Sequence, residues 1–96
     1  MNKEELILEE RCVLYARTKG IVTIKGNPDE HRGIPDRQFL KDGITAFVEF
    51  KVGRNKRTKA QYDWERWCKN NNFPYLCTKS QIEFIYFINK TFSLTL

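Results

Sequence analysis

The run RQFLKDGITAFVEFKV, residues 37–52, decides the fold. Two segments rich in β-branched and aromatic residues flank Lys41-Asp42-Gly43. Asp-Gly between such segments is a hairpin signal. The run predicts a strand over 37–40, a tight turn at 41–43, and a longer strand over 44–52, antiparallel to the first. Side chains on a strand alternate faces. Ala46, Val48, Phe50 and Val52 therefore point one way, toward a core, while Phe47, Glu49 and Lys51 point the other. Charged groups are costly to bury without partners. Either the Glu49/Lys51 face is solvated, or it lines a cleft and performs chemistry.

Outward from the hairpin, residues 3–19 read as an amphipathic helix, with Leu6, Val13 and Ala16 at helical spacing. Asn2 is its N-cap, Glu4 and Glu5 suit the positive end of its dipole, and Gly20 ends it. Residues 21–25 form a short strand, and the Gly- and Pro-bearing 26–35 a loop. After the hairpin comes a glycine-led basic loop, 53–60, holding Arg54, Lys56, Arg57 and Lys59. Thr58 caps a helix over 59–71, 75–78 is a fourth strand, and Ser80 with Glu83 forms a capping box for a last helix. The tail, 91–96, reads as an edge strand or a subunit contact. The order αβββαβα predicts an α/β domain with a mixed sheet flanked by helices on both faces.

Ninety-six residues make one small domain. Lys and Arg exceed Asp and Glu by 17 to 12, a net charge of +5, which points to a polyanionic partner. Three scattered cysteines without a CxxC pair exclude a thiolate zinc site, and a single histidine excludes a His-based metal site or a Ser/His/Asp triad. The cysteine usage fits a reducing, cytoplasmic compartment. No signal peptide and no membrane-length apolar run is expected.

The chemistry centres on Glu49 and on Asp36, thirteen residues earlier. Counting outward from 41–43 does not place Asp36 directly opposite Glu49, so a twist or bulge is needed to bring them together. Converging carboxylates require a cation, and oxygen donors of this type suit Mg²⁺ or Mn²⁺. The backbone carbonyl of Phe50 offers a third oxygen. Lys51 beside a metal could polarise a water or stabilise a phosphorane-like transition state.

Pro35-Asp36 followed by Glu49-Phe50-Lys51 resembles the PD…ExK signature of restriction-endonuclease-like nucleases. Gly33-Ile34-Pro35-Asp36-Arg37, the Phe-x-Glu-x-Lys strand, the basic loop and a helix opening with Gln61 are similar to its VRR-NUC branch. The resemblance covers about residues 3–80. It implies a single nuclease domain over 1–96 that hydrolyses DNA phosphodiesters with Mg²⁺ or Mn²⁺. Asp36 and Glu49 would bind the metal, Phe50 would lend its carbonyl, Lys51 would assist the water, and Gln61 would support the site or contact the phosphate, or else simply cap its helix. A Glu of the first helix is a further ligand in many members. Glu10 is preferred here, between Leu6 and Val13, with Glu9 as the alternative. Arg37, Arg54, Lys56, Arg57 and Lys59 would contact DNA. Archaeal-type Holliday junction resolvases share the core and an early Glu-Arg, here Glu10-Arg11, so structure-selective cutting of a junction or flap is an open possibility. The small size suggests a homodimer, with Phe84, Phe87 and Phe92 at its interface. A compact nuclease of this kind suggests a phage or mobile element, acting in the host cytoplasm. The competing readings are a nuclease-like fold that binds DNA without cutting, and an accessory subunit.

Overall fold

In the computed structural model, which describes residues 2–94, the hairpin turns through two residues rather than three. Asp42 and Gly43 both have positive φ, 52° and 79°. That is the type I′ pattern, whose twist matches the strands it joins. Strands β2 (Arg37–Lys41) and β3 (Ile44–Phe50) therefore pair from Lys41↔Ile44 to Arg37↔Val48. One more step of this register sets Asp36 beside Glu49. No bulge is needed, which corrects the offset expected from a three-residue turn.

Strand β1 (Val22–Lys25) pairs antiparallel with β2, and β4 (Tyr75–Thr78) pairs parallel with β3. The sheet is mixed, in the order β1-β2-β3-β4. Three helices complete the predicted αβββαβα order: α1 (Lys3–Thr18), α2 (Lys59–Asn70) and α3 (Gln81–Thr91). Residues 46–50 are all buried, as befits an inner strand covered on both faces. On one face Ala46, Val48 and Phe50 join Phe39 in a core with Leu8, Cys12 and Ala16 of α1 and Phe84 and Ile88 of α3. On the other, Phe47 meets Trp64 of α2, ring centroids 6.3 Å apart, and Phe73 edge-on at 5.6 Å. Phe39, Phe50 and Phe84 are fully buried, each contributing roughly 1.5–3 kcal/mol.

Strand β3 ends at Phe50, two residues short of the expected boundary. Its ladder partner β2 has run out, and the Val52 N–H goes instead to Glu5 Oε2 at 3.3 Å. In α1 the expected face is also displaced. Asn2 caps as predicted, accepting the Glu5 N–H at 2.9 Å. The buried residues, however, are Glu5, Leu8, Glu9, Cys12, Val13 and Ala16, while Leu6 and Glu10 are exposed. Glu9, not Glu10, faces inward.

The C-terminal expectations change as well. Phe84 and Phe92 are buried in the core and Phe87 packs against it, so these rings are not an exposed interface. Residues 91–94 finish α3 and turn back, with Leu94 on the core, rather than forming an edge strand. Residues 95 and 96 of that expected strand lie outside the described residues. Among the described residues no helix is long and apolar enough to cross a membrane.

Candidate active site

The end of β3 carries the site. Asp36, just before β2, accepts the Phe50 N–H on Oδ2 at 2.8 Å. In an extended strand the N–H and C=O of one residue leave on the same edge. The Phe50 carbonyl therefore faces Asp36 as well. Glu49 is 2% exposed, and its Oε2 lies 3.7 Å from Lys51 Nζ. Its Oε1 is buried without a hydrogen-bond partner.

Gln61 fixes Glu49 from α2. Its side-chain Oε1 accepts the Thr58 N–H at 2.8 Å, while its own N–H donates to Thr58 Oγ1 at 3.2 Å. This capping box orients the amide, so that Nε2 donates to Glu49 Oε2 at 3.1 Å. Gln61 thus caps its helix and supports the site at once. Gly33 sets how closely α2 approaches: its φ is +79°, and a Cβ there would stand 2.5 Å from the carbonyl carbon of Ala60. Only glycine lets the Gly33-Ile34-Pro35-Asp36 loop pass under the start of α2 without strain.

Burial, then the adjacent Asp36 carboxylate, pushes Glu49 up to about 8, against the opposing pull of Lys51. Burial also raises Asp36, with the Phe50 N–H acting in the opposite direction. Two carboxylates both raised by burial, one of them with an unpartnered oxygen, form a donor set that a small divalent cation would satisfy. Among the described residues, no group of three His, Cys, Asp or Glu side chains comes together in this way. The oxygen set is therefore two carboxylates and a carbonyl.

Of the expected helix-1 glutamates, Glu9 lies close enough for its charge to raise Asp36, and its Oε1 is buried without a hydrogen-bond partner. Glu10 is exposed. Glu9 is 1% exposed and is held by Arg37, Nε to Oε2 2.6 Å, with Lys25 Nζ at 3.9 Å. Arg37, expected as a DNA contact, has its guanidinium engaged with Glu9. The α1 carboxylate that reaches the site's cavity is Glu5, which sequence reasoning assigned only to the helix dipole. Its Oε2 accepts from the Val52 N–H and from Asn55 Nδ2, tying the basic loop to α1. A cavity of about 340 Å³ is lined by Glu5, Asp36, Glu49, Lys51, Lys56 and Gln61 among others. Asp36 and Gln61 also line a second cavity, about 720 Å³, with Lys25, Arg32 and Lys59 in its walls.

The basic loop divides by partner. Arg54 and Lys56 are exposed, and Lys59 reaches Asp63 at 3.0 Å while still lining the second cavity. Arg57 is structural instead: it meets Glu65 at 2.6 Å and Tyr75 Oη at 3.3 Å, with its guanidinium 4.1 Å from the Tyr62 ring centroid. The sequence signal for Lys25 and Arg32 was only their charge. No family model matches the chain, and no curated protein sequence matches it either.

Proposed function

We propose that this protein is a metal-dependent DNA endonuclease with a restriction-endonuclease-like core, hydrolysing phosphodiester bonds at Asp36, Glu49 and Lys51. The observation that carries this reading is the Asp36–Glu49 pair at the end of β3: Glu49 is buried, Asp36 half-buried, both are raised in pKa, and an ammonium flanks Glu49 on the same strand face. A structural ion pair between Glu49 and Lys51 would leave no reason for a second carboxylate beside Glu49.

Asp36, Glu49 and the Phe50 carbonyl would hold Mg²⁺ or Mn²⁺, with water and phosphate oxygens completing the coordination. When bound, the ion supplies Lewis-acid polarisation and a more acidic water. Lys51 places positive charge where the phosphoryl oxygens gain negative charge in the transition state. Gln61 keeps one Glu49 oxygen occupied and so leaves the other to face the donor set. Lys25, Arg32, Lys56 and Lys59 line the two cavities and would hold the backbone phosphates of the strand.

The test is nicking of labelled linear duplex, flap and four-way junction DNA, with Mg²⁺ or Mn²⁺ against EDTA. Metal-dependent cutting is expected, lost by at least a hundredfold in Asp36→Ala, Glu49→Ala and Lys51→Ala. Intact DNA binding with no cutting of any substrate would leave a binding protein and reject the enzyme.

A further inference from the structure

Helix α2 carries a second recess away from the carboxylates. Ala60, Asp63, Trp64 and Trp67 recur at i, i+3, i+4 and i+7, and so share one helix face. With Arg32 they line a cavity of about 300 Å³. Trp67 is 45% exposed, although its ring is fixed: it stacks on Phe73, planes 12° apart and centroids 5.5 Å apart. Trp64 crosses it edge-on at 5.4 Å and donates its indole N–H to the Arg32 carbonyl at 2.9 Å. The wall is aromatic, and Trp67 is held by two rings while remaining partly exposed.

Charge and continuity select the occupant. Arg32 and Asp63 bring opposite charges to the recess, with Asp63 braced by Lys59 at 3.0 Å and Arg66 at 3.3 Å. With Asp63 already engaged by those two cations, the rest of the wall is chiefly aromatic and suits a flat group carrying both donors and acceptors. Arg32 and Ala60 also line the basic cavity that reaches Asp36 and Gln61. From Ala60 to Trp67 is about 10 Å along the helix at the α-helical rise, within reach of a short single-stranded segment.

We propose that the recess is a pocket for an unpaired nucleobase, stacked on Trp67, of a strand whose backbone follows the basic cavity toward the carboxylates. The proposal rests on the nuclease reading for the strand's purpose, and it names the substrate class: DNA with a single-stranded segment beside the cut. A base within a duplex is already stacked and paired, and cannot enter.

Fluorescence-anisotropy binding in EDTA tests the pocket without any cutting. The probes are an oligothymidylate, the same strand with a run of abasic positions, and a duplex of equal length. Trp67→Ala is expected to weaken binding of the intact strand by roughly tenfold or more, the usual effect of losing a base-stacking aromatic. Trp67→Phe retains most of the affinity, and duplex binding changes little. The abasic strand should bind the wild type about as weakly as the intact strand binds Trp67→Ala. This arm alters only the ligand, so misfolding cannot imitate it. Equal binding of intact and abasic strands overturns the proposal. So does self-association in sedimentation that Trp67→Ala abolishes while base dependence is absent, which makes the recess a contact between copies. Base-dependent binding without nuclease activity upholds the pocket and rejects the nuclease. Metal-dependent cutting without base-dependent binding does the reverse.

Discussion

Glu49 binds a proton more tightly in the folded chain than a free carboxyl does, and stability must follow. Its pKa rises from an ordinary 4.5 to about 8, chiefly through burial and then through Asp36. Between those values the folded state holds more protons than the unfolded state, so stability falls as pH rises. The contribution is fully present below about 4.5 and is lost as pH passes 8. Thermal melts of the metal-free protein should therefore show Tm declining from pH 5 to pH 8. Glu49→Gln, which keeps the shape and removes the ionisation, should flatten that decline and raise Tm at pH 8. Adding Mg²⁺ at pH 8 should raise the wild-type Tm and leave Glu49→Gln nearly unmoved. A wild-type Tm that climbs steadily over this range would mean that Glu49 is stabilised as the anion, by Lys51 above all.

At the scale of elements, α1 makes the sharpest prediction, because two adjacent glutamates have opposite environments. Glu9 is buried against Arg37, whose side chain is 18% exposed, while Glu10 stands in solvent. Glu9→Ala should cost about 3 kcal/mol in urea unfolding, the low end for stranding one partner of a buried pair, because Arg37 keeps some access to water. Glu10→Ala should change stability by less than ~0.5 kcal/mol. Equal effects would contradict the helix rotation described above. This helix also marks the limit of what the sequence made legible. The strands, their order and the capping residues Asn2 and Thr58 followed from period, turn chemistry and side-chain type. That Asp36, Glu49 and Lys51 gather at one end of β3 followed from motif and alternation. The rotation of α1 did not, because its buried face includes Glu5 and Glu9, and hydropathy assigns carboxylates outward. Their partners, Val52, Asn55 and Arg37, lie 28 to 50 residues away and become visible only after folding. The hairpin register failed for a smaller reason: Lys41 was counted in the turn, and one residue moved Asp36 off its partner.

Across the whole molecule, the +5 surplus matters by where its basic side chains fall. Lys51 and Lys56 line one cavity at the carboxylates, and Lys25, Arg32 and Lys59 line the other, so the two make a basic track with Asp36 and Gln61 common to both. Arg57 belongs to the same sequence cluster but is 18% exposed and bound to Glu65. Binding of a polyanion by such a track releases counterions, and affinity falls with salt in proportion to the phosphates neutralised. Duplex affinity measured in EDTA across a salt series separates the two kinds of basic residue. Arg32→Ala and Lys25→Ala should each reduce the slope of log affinity against log salt by about one. Arg57→Ala should leave the slope unchanged and lower the unfolding midpoint instead, since it leaves Glu65 without its closest cation. A slope reduced by Arg57→Ala as much as by Arg32→Ala would mean that the loop, and not the track beside Asp36, holds the phosphates.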